Sequence, residues 1–299
     1  MNKIKNYFSI KDLENLSGIK AHTIRIWESR YNLLQPMRSE TNIRTYDMQN
    51  FQKLLNVVFL QEYGYKISRI AKLTPTEIEQ TIREISSTKM QNTNAIQNLK
   101  VAMMSFDQQL FQQNYSALLE HKSFREIFFE VFIPLLNEVG LLWQTNTILP
   151  THEHFISNLI AQKLHINIEK LQLLPTKTNE PTYVLFLPEN EIHNLGLLYV
   201  QYELMLKGLK TIYLGESIPN DNLLPFIQSE NSFVLISYFT VFNDLQRYQD
   251  FIAFINENLP NSNALLYLFG KNSRKLTFSN LAVSKINYFD NLQIFVKNI

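Results

Sequence analysis

The chain contains no cysteine. That absence excludes disulfides, thiolate-held iron–sulfur clusters and any thiol nucleophile, and it is compatible with a reducing interior. Long apolar runs are also missing. The opening Met1-Asn2-Lys3-Ile4-Lys5-Asn6 lacks the apolar stretch of a signal peptide, and no window reaches the roughly 20 residues of a membrane span. A cytoplasmic location with no membrane partner is therefore expected. Net charge is almost absent too, at +1 over 299 residues. This balance conceals an asymmetry: the first 75 residues hold 12 Lys+Arg against 6 Asp+Glu, and the remainder holds 16 against 21. Only the N-terminal part can attract a polyanion strongly. What the chain does have is length and a 45% apolar fraction, enough for two or three domains with real cores.

The basic segment reads as short helices and a hairpin. Phe8-Ser9-Ile10 leads into a helix over Lys11 to Leu16, Ser17-Gly18 makes a tight turn, and Ala21 to Tyr31 has helical periodicity through Ile24, Trp27 and Tyr31. A polar stretch from Arg38 to Thr45 separates this pair from a helix starting near Asp47, with Phe51, Leu54, Leu55, Val58 and Phe59 as its buried stripe. Gly64 ends that helix, Ile67 to Leu73 begins another, and Glu77 to Ile85 makes one more. The polar run Ser86 to Thr93 reads as a linker. From there to Leu171 the periodicity predicts four helices, over Ala95 to Met104, Asp107 to Leu119, Phe124 to Trp143 and Thr151 to Leu171.

Past Pro181 the period changes. Tyr183 to Leu187, Thr211 to Leu214, Phe233 to Ser237 and Leu265 to Phe269 are β-rich runs, with Ala282 to Tyr288 a fifth. Helical candidates separate the first four: Leu195 to Lys207, Asn222 to Ser229 and Phe242 to Glu257. Such alternation argues for a mostly parallel sheet with helices on both faces and sites at the carboxyl ends of its strands. The first such end carries Glu191-Ile192-His193-Asn194-Leu195-Gly196. An imidazole ligates through one nitrogen when a carboxylate holds the proton of the other, and Glu191, two residues before His193, can do that. Gly196 lets a bulky ligand approach the backbone where the next helix starts. Taken alone, a loop histidine is more often neither ligand nor catalyst.

Several residue patterns match known families. Ser9-Ile10-x-x-Leu13, Ser17-Gly18-Ile19, Thr23-Ile24-Arg25-x-Trp27-Glu28, Arg44-Thr45-Tyr46 and Gly64-Tyr65-x-Ile67-x-x-Ile70 together resemble the MerR-type winged helix-turn-helix across residues 7 to 73. The resemblance implies that the second helix enters the major groove and the wing touches backbone. His22, Thr23 and Arg25 then lie on or beside the recognition surface, with Arg38, Arg44 and Tyr46 at the wing. Arginine's rigid fork suits phosphate or guanine, whereas Ile24 and Trp27 read as core. Taken singly, Arg25 and Arg44 are equally well read as solvated surface or carboxylate partners, and His22 as a cap. Recognition by such small heads usually needs two half-sites and a dimer.

Glu191-x-His193-x-x-Gly196 resembles the Asp-x-His-x-x-Gly signature of cobalamin-binding domains, with Glu for Asp. The resemblance implies that His193 takes the lower cobalt position in place of dimethylbenzimidazole, whose nucleotide tail runs into the sheet domain. Counterparts of later family segments are Gly215-x-Ser217-x-Pro219, Ser237 and Gly270, the last followed by Lys271 rather than a second glycine. Trp143, nine residues, then Glu153-His154 is similar to the helical cap of light-responsive MerR-type regulators of the CarH and LitR group. There the tryptophan shields the upper corrin face, and the glutamate and histidine line the upper site. Trp143 by itself reads as bundle core, and His152, Glu153 and His154 as an exposed helix start. Gln144 stands where that group can have a histidine, and a glutamine amide is a poor cobalt ligand.

These patterns predict a multidomain chain. An all-α winged helix-turn-helix head (1–75), a short helix and linker (76–94), a four-helix bundle (95–178) and a Rossmann-like α/β cobalamin-binding domain (179–299) follow in order. The implied function is transcription regulation, as a repressor, without enzymatic turnover. Its implied signals are cobalamin, as adenosylcobalamin, and light. The implied partners are operator DNA with inverted half-sites, further copies in a dimer or tetramer, and a protein antagonist. Two alternatives stay open: a cobalamin-independent MerR-type regulator whose body binds a protein, and a corrinoid enzyme module.

Overall fold

A computed structural model of the chain describes residues 7–38, 42–84, 88–239, 245–270, 273–279 and 281–298. The chain divides into two compact units, Met1–Leu159 and Ile160–Ile299. Among the described residues no helix is long and apolar enough to cross a membrane.

The first unit opens with the basic segment. Helix α1 (Ile10–Ser17) starts on a reciprocal cap, in which the Ser9 hydroxyl accepts from the Asp12 N–H at 3.1 Å and the Asp12 carboxylate accepts from the Ser9 N–H at 2.8 Å. It ends at Gly18, whose φ of 75° turns the chain in a conformation that a side chain would disfavour. Helix α2 (Ala21–Tyr31) follows after two residues and buries Ile24 and Trp27. Strands β1 (Met37–Arg38) and β2 (Arg44–Thr45) pair antiparallel as the expected wing. Phe8 and Tyr46 exchange backbone hydrogen bonds of 2.7 and 2.9 Å, tying the start of the segment to the end of that wing. Asp47 caps α3 (Met48–Glu62) by accepting from the Asn50 N–H at 2.8 Å, and the stripe read from sequence is buried. Helix α4 (Ile67–Ile70) is shorter than the expected Ile67 to Leu73. Thr74 and Glu77 then cap each other at the start of α5 (Pro75–Glu84).

Helix α6 (Thr88–Ser105) corrects the reading of Ser86 to Thr93 as linker: it is already helical at Thr88, and residues 85–87 lie outside the described ones. A tertiary contact overrides the weak local preference there. The Asn92 amide donates to Glu130 at 2.9 Å, and Lys122 pairs with the same carboxylate at 2.6 Å. Helix α7 (Gln108–Leu119) is capped by Asp107. The predicted continuous helix from Phe124 to Trp143 is instead α8 (Phe124–Ile127), a π-helical turn over Phe128–Phe132, and α9 (Ile133–Gln144). Pro134 is the cause: it has no N–H to give the Glu130 carbonyl, and its ring would crowd that carbonyl in a regular helix. Helix α10 (Pro150–Leu171) completes the helical region.

The second unit is an all-parallel five-stranded sheet. Its strands are β3 (Thr182–Pro188), β4 (Thr211–Ile218), β5 (Phe233–Tyr238), β6 (Leu265–Phe269) and β7 (Ile286–Phe289), in the order β4-β3-β5-β6-β7. Intervening helices are α11 (Leu195–Leu206), α12 (Leu224–Ile227), α13 (Leu245–Asn258) and the terminal α14 (Leu292–Asn298). The fifth strand starts later than the expected Ala282, because Val283–Lys285 forms a 3-10 turn. Expected helical residues 242–244 lie outside the described ones. Val184, Leu185, Phe186 and Leu187 are wholly buried, each contributing about 1.5–3 kcal/mol of apolar burial. This explains the uninterrupted apolar run in the sequence: a central parallel strand is covered on both faces.

Within the first unit, α6 is joined to α1 by a buried cation. Lys100, 7% exposed, donates to the Leu16 carbonyl at 3.2 Å and to Glu138 at 2.7 Å. Asn15 donates to the Thr147 hydroxyl at 2.8 Å. Lys100→Met keeps the apolar stem but removes the donor, and is expected to destabilise the unit by about 1–3 kcal/mol. Chemical denaturation checks this; an unchanged midpoint would show that the ammonium makes no net contribution.

Candidate functional site

The turn after β3 is organised by one carboxylate. Glu191 is 2% exposed, and its Oε1 accepts from the Ile192 N–H at 3.0 Å and the His193 N–H at 3.1 Å. The same oxygen lies 2.5 Å from His193 Nδ1. An ionised carboxylate only accepts, so the shared proton belongs to Nδ1 and Nε2 is the basic nitrogen of the ring. The His193 side chain itself is half exposed. A buried orienting acid and an accessible imidazole are what a nitrogen ligand to a metal requires.

Strand β4 supports this turn from the side. Its register against β3 slips by one residue between Leu185 and Phe186 and again between Phe186 and Pro188. The two extra residues fall where Gly215 and Ser217 have positive φ, 94° and 54°. Bulges redirect a strand end, and here the result is direct bonding: the Ser217 hydroxyl accepts from the Asn190 N–H at 3.0 Å, and the Ser217 N–H donates to the Glu191 carbonyl at 3.2 Å. Asn194 also donates to Glu216. Gly215 and Ser217, expected to line a cofactor, therefore hold the loop that carries His193. These bulges also explain why β4 runs on to Ile218 rather than ending at Leu214.

The strand order reverses between β3 and β5, which places a crevice at their carboxyl ends. Ser237 lies there, wholly buried, and its hydroxyl has no hydrogen-bond partner among the described residues. That orphan polar atom fits a site for a ligand with polar atoms of its own. Gly196 behaves differently from its sequence reading. A β-carbon at Gly196 would stand 2.6 Å from Tyr238 Cε2 and 2.8 Å from its Cζ, so the room expected for a ligand is filled by the Tyr238 ring. Gly270 has a φ of 96°, and a β-carbon there would run into the Phe239 carbonyl. Lys271 lies outside the described residues. Burial pushes the Tyr238 phenol up to about 12. Sequence reasoning missed Tyr238 because nothing in its local pattern reports a contact with a turn so distant along the chain.

On the helical region, Trp143 is 54% exposed near the end of α9, with Leu141 exposed beside it. The reading of Trp143 as bundle core is thus corrected. In the first turn of α10, Glu153 accepts from the Ser157 hydroxyl at 2.7 Å, and its other oxygen lies 3.2 Å from His154 Nδ1. His154 is exposed, as expected. His152 is not: it is wholly buried, stacks on Phe106 with ring centroids 4.7 Å apart, and accepts from the Leu149 N–H at 3.1 Å. It caps the start of α10, which corrects the reading of His152 as an exposed helix start. Gln144 is exposed as the last residue of α9.

The basic segment presents a separate face. On α2, His22, Arg25, Ile26 and Ser29 are all exposed and share one side of the helix, with Thr23 half-buried at its edge. Ile26 and Ser29 were absent from the sequence reading, although the spacing of His22 and Arg25 extends to them. Arg38 is exposed and donates to Asn42 at 2.6 Å. Arg44 and Tyr46 have another task. Arg44 Nε donates to one oxygen of Glu28 at 2.9 Å and the Tyr46 hydroxyl donates to the other at 3.0 Å. The Tyr46 side chain is wholly buried, and burial, reinforced by its bond to Glu28, raises its phenol well above the ordinary range. The expectation that Tyr46 meets DNA is corrected: it locks the wing to α2.

Comparison with known proteins finds relatives for two segments of the chain. Residues 8–77 match the MerR HTH family regulatory protein profile, and residues 95–166 match that of the B12 binding domain. The chain is 26% identical over 222 residues to the HTH-type transcriptional repressor CarH of Myxococcus xanthus, covering 72% of this chain and 73% of that protein. It is likewise 26% identical over 215 residues to the repressor CarA of the same organism, covering 70% and 68%. In fold it is similar to the Methanosarcina barkeri monomethylamine corrinoid protein, with a TM-score of 0.54 and 14% identity over 70% of this chain and 100% of that one. The chain thus joins a MerR-type helix-turn-helix to a B12-binding-type body and is homologous to the CarH and CarA repressors.

Proposed function

We propose that this chain is a DNA-binding transcriptional repressor whose body takes up a cobalamin and whose cofactor state controls operator binding. The observation that carries the reading is the imidazole of His193, held through Nδ1 by the buried Glu191 at the crevice of a parallel sheet in a chain that also carries a MerR-type head. His193 is assigned to cobalt, and Ser237 and Gly270 to the crevice. Gly215 and Ser217 are assigned to the loop that supports them. Trp143, Glu153 and His154 are assigned to the cofactor's upper side. When bound, cobalamin would supply a cobalt centre that the His193 imidazole could ligate, and adenosylcobalamin is the form proposed. No turnover is needed. A cofactor shifts the protein between states only through a difference in its affinity for them.

His22, Thr23, Arg25 and Arg38 are assigned to DNA contact. Glu28, Arg44 and Tyr46 fix the geometry of that surface. A single exposed helix face reads few base pairs, which supports inverted half-sites bound by a dimer or tetramer. A protein antagonist, carried over from the family resemblance, belongs to the same proposal. One observation favours a second reading, a regulator that works without cobalamin: the Tyr238 ring fills the space beside Gly196.

The direct test is an absorption spectrum of the purified chain with adenosylcobalamin, before and after green light. His193→Ala is expected to abolish binding, and Glu191→Gln to weaken it by about 10- to 100-fold; unchanged affinity in His193→Ala would sink cobalt ligation. For the head, Arg25→Ala is expected to weaken operator binding by about 1–3 kcal/mol at unchanged thermal stability. Glu28→Ala is expected to lower both, because Arg44 and Tyr46 lose their common acceptor. Mobility-shift titrations alongside thermal melts separate the two, and equal effects of both variants on melting would refute this division of roles.

A further inference from the structure

The crevice at the strand-order reversal is bounded by Gly196 on the first turn of α11, Ser237 at the end of β5 and Gly270 after β6. The Tyr238 ring fills its side next to Gly196, while the Phe239 carbonyl closes on Gly270. The Tyr238 ring presses on Gly196 so closely that no β-carbon fits between them, and its Cε1 would lie 3.4 Å from a β-carbon on Gly270. The ring also stacks on Phe269, with centroids 5.9 Å apart and planes within 18°. The contacts with Gly196 are all made by side-chain atoms of the last residue of β5, so a change of its rotamer, with the strand in place, would free the space beside Gly196. Beside it, the buried Ser237 hydroxyl has no partner among the described residues. An aromatic ring held by side-chain contacts, next to a buried hydroxyl without a partner, fits a closed ligand cleft.

We propose that Tyr238 is a gate on this crevice, which must swing away from Gly196 before a cofactor with a nucleotide tail can seat fully. The proposal rests on the cobalamin reading. When His193 replaces the dimethylbenzimidazole base at cobalt, that base and its nucleotide loop need space close to His193, and Gly196 is three residues further along the same turn. The Ser237 hydroxyl then acquires a polar partner from the tail. Tyr238 thereby sets specificity among corrinoids. A corrinoid without the tail, cobinamide, leaves the ring in place, whereas a complete cobalamin binds only to the open fraction of molecules and its apparent affinity is reduced by that fraction.

The test measures equilibrium binding of adenosylcobalamin and adenosylcobinamide, in the dark, to the full chain and its Tyr238→Ala and Tyr238→Phe variants. Tyr238→Ala is expected to bind adenosylcobalamin about tenfold more tightly than the unaltered chain, Tyr238→Phe to match the unaltered chain, and adenosylcobinamide to bind all three alike. Equal adenosylcobalamin affinities for the unaltered chain and Tyr238→Ala would overturn the gate and leave the cofactor reading intact. Failure of both corrinoids with every variant would overturn both. A cofactor-free arm addresses the packing itself. Gly196→Ala is expected to lower the melting temperature of the unaltered chain and to have little effect in the Tyr238→Ala background. Equal losses in the two backgrounds would show that the ring does not hold that space, and would overturn the gate without reference to any corrinoid.

Discussion

The second unit depends on how one buried carboxylate is satisfied. Glu191 lies just beyond β3, whose Val184 to Leu187 are wholly buried, and an ionised group in such a position is tolerated only when donors surround it. It recruits two backbone N–H groups and one imidazole N–H from the two residues that follow it. The need to satisfy the acid therefore shapes the turn, selects the tautomer of His193 and fixes where the ring starts from. The bulged end of β4 adds a second support from a neighbouring strand. Glu in place of the shorter Asp is compatible with this role, since the carboxylate still reaches back to the backbone of its own turn.

The head uses the same device for another purpose. Glu28 accepts from Arg44 on the wing and Tyr46 just beyond it, so an acid on α2 ties that helix to the wing. Charge on this segment is thus divided into two classes. Arg44 is spent within the fold, while Arg25 and Arg38 remain on the surface with a net positive field around them. A count of basic residues does not separate these roles; the position of the matching acid does.

Much of this was legible in the chain itself. Gly18 marks the end of α1, the period of Ile24 and Trp27 marks the buried face of α2, and the apolar run from Tyr183 to Leu187 marks β3, because in each case the cause is local. The Glu191 and His193 pair was legible for the same reason, being two residues apart. What escaped has non-local causes or mixed signals. Tyr238 meets Gly196 only through the sheet. Gly215 and Ser217 resemble a turn but are bulges within a strand. His152 looks like a polar helix start, yet its burial is imposed by Phe106, in the connection between α6 and α7. The π turn is the exception, since Pro134 in the middle of an apolar helical pattern is itself a local mark of interruption.

The all-parallel order of the sheet has a further consequence, for the time course of folding. No two adjacent strands are joined by a hairpin: Tyr183 pairs with Thr211, and Thr182 with Phe233, so every pairing closes a loop containing a whole crossover. Helical units dominated by local contacts form quickly, whereas sheets of this kind wait on distant partners. The helix-rich unit also precedes the sheet along the chain, so it can reach its native packing while β3 is still without neighbours. For that interval this apolar segment is an unpaired strand, the kind of surface on which chains associate wrongly, and the first partner along the chain that can end it is β4.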